Sequence, residues 1–282
     1  MKKLSSKIYV GLVMLFLYLP IFVLILYSFN DGKTSVWKGF TLKWYSELFH
    51  STAIMSSLYN TLIIAVLASL VATVLGTAAA IGLYNYKGIK RTLLTNVSNF
   101  PIINPEIVTG VSFMLLFAFA GGLLGFEMGF GTVLIAHIGF CTPYVILNVM
   151  PKLRQMDKNV YEAALDLGCN QRQAFFKAVM PEILPGVLSG LLMSFTYSLD
   201  DFVITYFTRG AQFQTLPIEI YTMLRRRISP TIYALSTLLF VITLTILIIV
   251  NVRDRHAEKQ AASAVMGLRG FINQKREGGT KT

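Results

Sequence analysis

"NTLIIAVLASLVATVLGTAAAIGLY", residues 60–84, runs for 25 positions without a charged side chain. A helical span of the hydrocarbon core needs about 20 apolar residues, so this run reads as one crossing of a membrane. Ser69, Thr73 and Thr77 recur at every fourth position. That spacing lines one helix face with small residues and lets a neighbouring helix approach closely. The stripe is read as packing inside a bundle.

The same pattern continues on both sides. Six apolar runs are expected to span the membrane, over residues 8–29, 58–83, 101–124, 129–150, 184–207 and 231–252. Of the 282 residues, 54% are hydrophobic and 14% charged, which excludes a soluble domain of this size. The net charge of +11 does not indicate nucleic-acid binding, because the basic residues fall in the gaps between apolar runs. Lys2, Lys3 and Lys7 precede a first run too long for a signal-peptide core, and no small-residue cleavage site follows. It is read as an uncleaved span. With the N-terminus inside, 18 of the 25 Lys and Arg residues fall on the cytoplasmic side, which predicts both termini inside. The sequence divides into a transmembrane region, 1–255, and a basic cytoplasmic tail, 256–282. Arg225, Arg226 and Arg227 are the exception, in an outer loop.

Two spans carry acids. The third opens "NFPIINPEIVTG", residues 99–110, with Pro101, Pro105 and Glu106. Two prolines there kink or break a helix. On a helix running from Arg91, Glu106 lies about 22 Å along, near mid-depth. Irregular backbone at that depth must be buried in protein or line a wet cavity, so Glu106 is expected to face inward. The fifth span holds "SFTYSLDDFVITYF", residues 194–207. One Asp at a helix centre costs about 2.5 to 3.5 kcal/mol, so the adjacent Asp200 and Asp201 require a partner or a cavity. Read as one continuous helix, Ser194, Tyr197, Ser198, Asp201 and Thr205 form a polar stripe that suits a pathway, ranking Asp201 above Asp200. The missing cation is either cargo or one of the outer arginines, Arg209 and Arg225 to Arg227. Tyr197, Tyr206 and Trp44 are candidates for cation–π contacts. Trp44 also reads as an interfacial anchor. His137 reads as a packing residue ahead of a transport role.

The longest cytoplasmic connection is "PKLRQMDKNVYEAALDLGCNQRQAFFKAVMPEILPG", residues 151–186, with 152–183 as its working part. Asp157 is placed to cap a first short helix, and Gly168 stands where a left-handed terminator is wanted. Asn170 and Gln173 are spaced as a capping box for a second helix. The product is a rigid helix–Gly–helix knob suited to a groove on another protein. The chain has no G-x-x-x-x-G-K-[ST] loop, and neither a catalytic constellation nor a metal-ligand spacing among its histidines and two cysteines. It is not read as an enzyme.

"EAALDLG" followed nine residues later by "AVMP" resembles the EAA loop of ATP-binding-cassette importer permeases. Glu162, Ala163, Ala164, Gly168 and Pro181 match that pattern, while Ala178 and Met180 replace its usual Ile and Leu. The resemblance implies a six-span, all-helical permease of the type I, MetI-like fold. It also implies a coupling helix near 158–168 that docks on a separate ATPase. Further implied partners are a second, similar permease, two copies of the ATPase, which uses ATP and Mg, and an extracytoplasmic binding protein. No cofactor is expected in this chain, which would lie in a bacterial cytoplasmic membrane. Residues 194–239, "GFTLKWYS" (39–46) and "HIGFCTPYVI" (137–146) are similar to the polyamine-importing branch of that family. They imply spermidine or putrescine as cargo, with Asp200, Asp201, Glu106, Ser198, Tyr197 and Trp44 along the pathway. Two other readings stay open: a permease for another solute, and an ion-coupled transporter or channel in which the acids relay protons.

Overall fold

The structure is a computed structural model that describes residues 2–32, 36–157, 159–226, 229–242 and 244–245. It is all-helical. In chain order the helices are α1 (Lys2–Ser28), α2 (Lys43–His50), α3 (Thr52–Asn85), α4 (Gly88–Ile103), α5 (Glu106–Leu124), α6 (Phe130–Gln155), α7 (Asn159–Asp166) and α8 (Gln171–Ala174). A π-turn at Phe175–Val179 joins α8 to α9 (Met180–Asp200), followed by α10 (Val203–Thr208) and α11 (Leu216–Arg226). A further apolar helix, α12, covers Thr231–Ile242. The chain forms two compact units, Met1–Leu48 with Ile228–Thr282, and Phe49–Arg227.

Among the described residues, five helical runs are long and apolar enough to cross a membrane: Lys7–Ser28, Thr52–Asn85, Glu106–Leu124, Phe130–Gln155 and Gln171–Asp200. The first, second and fourth expected spans have helices in place. The sixth is represented by Thr231–Ile242, and the rest of 231–252 lies partly outside the described residues, as does the tail at 256–282. The third expected span is helical over Glu106–Leu124, behind the break that its prolines predict, and the fifth is corrected. A single helix through Arg91 and Phe119 does not form: α4 ends at Ile103 and α5 begins at Glu106. Pro105 is responsible, because it disfavours helical backbone at Asn104 (ψ 138°) and lacks an amide of its own. The fifth span likewise breaks at Asp201, whose ψ of 125° ends α9.

In the larger unit, α3, α6 and α9 pack together as the central trio. Their approach is set by side-chain size. A Cβ on Gly76 of α3 would lie 2.6 Å from the Val145 Cβ, and one on Gly190 of α9 would lie 3.1 Å from the Val145 Cα. Val145 therefore occupies the junction of three helices. Ser69, Thr73 and Thr77 are buried on α3 as the small-residue stripe requires, and Ser69 and Thr73 return their hydroxyls to the backbone of the preceding turn. Toward one end, Ala80, Val149, Leu153 and Ile183 complete an apolar core. Helix α10 packs on α5 and α6. In the smaller unit, Asn30 organises the turn after α1, accepting from Gly32 and Lys38 and donating to Val36.

Candidate functional site

The two helix breaks meet. Pro101, Glu106 and Thr109 from the α4–α5 break and Asp200, Asp201, Phe202, Val203 and Ile204 from the α9–α10 break line one cleft. Phe140, Tyr144 and Tyr197 complete its wall, and its volume is about 220 Å³. Breaking a membrane helix frees backbone groups and acids that only a cavity or protein burial can tolerate. Both breaks satisfy that condition here.

The adjacent aspartates have different surroundings. The Asp201 carboxylate is 6% exposed and caps α10. One oxygen accepts from the Ile204 amide at 3.2 Å, and the other accepts from the Thr205 amide and hydroxyl, each at 2.8 Å. A short acidic side chain just ahead of a helix is among the favoured capping groups, and its charge also suits the helix N-terminus. His137 of α6, 1% exposed, places Nε2 3.4 Å from the same carboxylate. Asp200, one residue earlier, is exposed at the cleft, as is Glu106. Neither of these two carboxylates has a hydrogen bond or ion pair among the described residues.

In the wall of the same cleft, Tyr144 and Tyr197 stack with ring centroids 4.3 Å apart and planes 22° from parallel. The lining contains two free carboxylates, two phenol rings and no Lys or Arg. Such a cleft attracts cations and offers π faces to their alkyl-ammonium ends. Of the outer arginines, Arg209 and Arg225 are engaged elsewhere, and the Arg226 side chain lies outside the described residues. Arg209 donates to the Phe213 carbonyl at 3.2 Å, and the Arg225 guanidinium lies 5.8 Å from the Tyr221 ring centroid. Arg227 lies outside the described residues.

The structure thus brings together Glu106, Tyr197, Asp200 and Asp201. It corrects the polar stripe. Ser194 and Ser198 are fully buried, Ser194 donates to the Cys141 carbonyl, and Ser198 faces His137 at 2.7 Å. That face packs on α6 instead of opening on a pathway, so Ser198 lies behind the cleft and the ranking of Asp201 above Asp200 loses its basis. Trp44 belongs to the other unit, where it is buried and its indole donates to the Asn30 carbonyl at 2.8 Å. It reads there as a structural residue. Reading the sequence as an unbroken helix left Tyr144 out of the cleft and gave Thr205 to a pathway stripe instead of to the cap of α10. The signal was Asp201 with Thr205 four residues on, a cap written into the sequence.

A second feature stands at the other end of α6. Asp157 caps α7 through the Asn159 amide, and Gly168, at φ +85°, ends it. The Cys169 amide bonds to Ala164 and the Gly168 amide to Leu165, the two bonds of a Schellman motif. Asn170 and Gln173 exchange both bonds of a capping box. Glu162, Ala163 and Gly168 face outward, Ala164 is half-buried, and Pro181 opens α9. Leu167, 87% exposed, stands at the tip. Lys158 lies outside the described residues.

Residues 72–259 match the family model of the binding-protein-dependent transport system inner membrane component. The chain belongs to that family. The permease is 36% identical to the spermidine/putrescine transport system permease protein PotC of Escherichia coli (strain K12), over 83% of its own length and 87% of that protein. It is 38% identical to the putrescine transport system permease protein PotI of the same organism, over 79% and 81%. It is 34% identical to the PotC of Haemophilus influenzae, over 83% and 90%. Among solved structures, it resembles a bacterial ABC transporter involved in import of the acidic polysaccharide alginate, with a TM-score of 0.67 and 16% identity over 89% of the permease and 95% of that chain. At that identity the likeness concerns the fold. The chain is therefore a multi-pass membrane permease subunit of an ABC transport system, and not an enzyme.

Proposed function

We propose that this permease forms half of the translocation pathway of an ATP-driven polyamine importer, with spermidine or putrescine as cargo. The observation that carries this reading is the cleft itself, where Glu106 and Asp200 are unpaired, Tyr144 and Tyr197 present ring faces, and the lining has no basic side chain. A polyamine has ammonium groups separated by alkyl chain, so it suits carboxylates that share a cleft with aromatic surface. The polyamine names of the PotC and PotI relatives point the same way. An anionic cargo would need cations in the cleft.

In this reading a PotB-like permease supplies the other half, and a PotD-like binding protein delivers cargo from outside. Two copies of a PotA-like subunit bind ATP and Mg and hydrolyse the nucleotide. The elbow from α7 to α8, with Glu162, Ala163, Ala164 and Gly168 and the outward Leu167, docks in a groove of one ATPase. Pro181 sits where that elbow passes into α9, which carries Asp200 at its far end. In the same reading the chain crosses six times, which keeps both termini on one side, and the bias of Lys and Arg assigns that side to a bacterial cytoplasm. Vesicles holding the whole complex test the reading. Labelled spermidine or putrescine accumulates only with ATP hydrolysis and the binding protein, and an uncoupler that collapses ion gradients leaves accumulation intact. Accumulation driven by an ion gradient without ATP would instead assign the acids to a proton relay.

A further inference from the structure

His137 sits behind the cleft and touches both sides of the α9–α10 break. Its Nδ1 lies 2.7 Å from the Ser198 hydroxyl in the last turn of α9, and its Nε2 lies 2.9 Å from the Thr205 hydroxyl in α10. The Thr205 hydroxyl spends its one hydrogen on Asp201, so toward His137 it only accepts, and Nε2 carries a hydrogen. The imidazole is packed edge-on against Phe140 and almost fully buried. A ring bonded at both nitrogens has no freedom to turn.

We infer that His137 is a positioning residue that clips α9 to α10 and thereby fixes where the cargo carboxylates point. Asp200 is the last residue of α9, immediately before the clipped break. Glu106 is tied to the same clip through α10. A Cβ on Gly110 of α5 would lie 2.9 Å from the Phe207 ring and 3.4 Å from the Val203 carbonyl, so α5 follows α10 closely and carries Glu106 one turn before Gly110. Groups that bind two ends of one ligand must hold their separation, and a small shift of either is felt in affinity. The clip therefore acts on cargo recognition without touching cargo. This inference rests on the cargo reading above for its uptake readout and has a second readout that does not.

The test is a cycle in the complete complex. His137→Ala raises the apparent KM for spermidine about fivefold or more, with the maximal rate within about twofold. In an Asp200→Asn background the same change adds less than about twofold, because it acts through a carboxylate already removed. Additive effects, or a fall in maximal rate at unchanged KM, overturn the inference. Should His137→Ala fail to assemble, Ser198→Ala, which removes the α9 bond of the clip and leaves the Asp201 cap of α10 intact, decides by the same criteria. The second readout is the rate at which a cationic methanethiosulfonate modifies Asp200→Cys, with Cys141→Ala and Cys169→Ser in the background. Loss of the clip changes that rate severalfold and leaves the rate at Thr196→Cys unchanged, whereas equal rates with and without His137 overturn the inference. Wild-type vesicles that take up no polyamine refute the cargo reading alone, and the modification rates then decide the clip.

Discussion

Thr205 gives its backbone amide and its hydroxyl to the same Asp201 oxygen, each at 2.8 Å, and so closes the first turn of α10. The bond pattern separates two aspartates that the sequence sets side by side. Asp201 completes a helix terminus, and Asp200 is left free at the cleft. Asp201→Ala is expected to lower the stability of the purified complex by about 1 to 3 kcal/mol, since it removes a cap and leaves buried donors without a partner. Asp200→Asn should leave thermal unfolding unchanged and raise the apparent KM for cargo. Thermal melts beside uptake kinetics distinguish the two.

The stacked pair Tyr144 and Tyr197 makes a separate prediction. A cation–π contact depends on the ring and not on the hydroxyl. Tyr197→Phe should therefore bind cargo like the wild type, and Tyr197→Leu should weaken it by about 0.5 to 2 kcal/mol. Equal loss in both variants would assign the contribution to the hydroxyl.

Val145 between Gly76 and Gly190 predicts a size rule. Gly76→Ala puts a methyl group 2.6 Å from the Val145 Cβ. Overpacking of that kind costs about 1 to 3 kcal/mol. Adding Val145→Gly should offset part of it, because the Cβ at 2.6 Å and the Cγ1 at 2.9 Å are then absent and only the Thr142 carbonyl at 2.9 Å remains. Unfolding temperatures of the single and double variants in detergent measure the coupling.

At the elbow, Gly168 holds φ +85°, a left-handed conformation that costs another residue about 1 to 2 kcal/mol. Gly168→Val should distort the knob and reduce ATP hydrolysis stimulated by the binding protein, and Gly168→Asn should be milder because Asn tolerates that region. Leu167→Asp should abolish stimulation while leaving the permease pair intact, as read by co-purification and ATPase assays.

Much of this architecture is legible in the sequence because membrane burial writes itself in long apolar runs. The elbow is legible because caps are local. Asp157, Gly168, Asn170 and Gln173 act within a few residues of themselves, and each takes its expected place. The cleft is less legible because it depends on where helices stop. Pro105 announces the first break, yet a proline can kink a helix or end it. No proline marks the second break; its only mark is Asp201 with Thr205 four residues on, and there Asp201 wins by offering α10 a better terminus than the continued helix. His137 shows the deeper limit. Its partners Ser198 and Thr205 lie 61 and 68 residues away, and hydrophobic periodicity carries no information about pairing at that range.

The central claim is that Glu106 and Asp200 are the free carboxylates that receive cargo. Its most direct measurement is ATP-dependent uptake of labelled spermidine into vesicles holding the complete complex, comparing the wild type with the double variant Glu106→Gln, Asp200→Asn. Both changes preserve shape and remove charge. We predict an assembled complex with normal basal ATP hydrolysis and an apparent KM raised by about tenfold or more, the loss of about 1.4 kcal/mol or more of binding. Uptake by the double variant with the wild-type KM and rate would contradict the assignment of these two acids to the cargo.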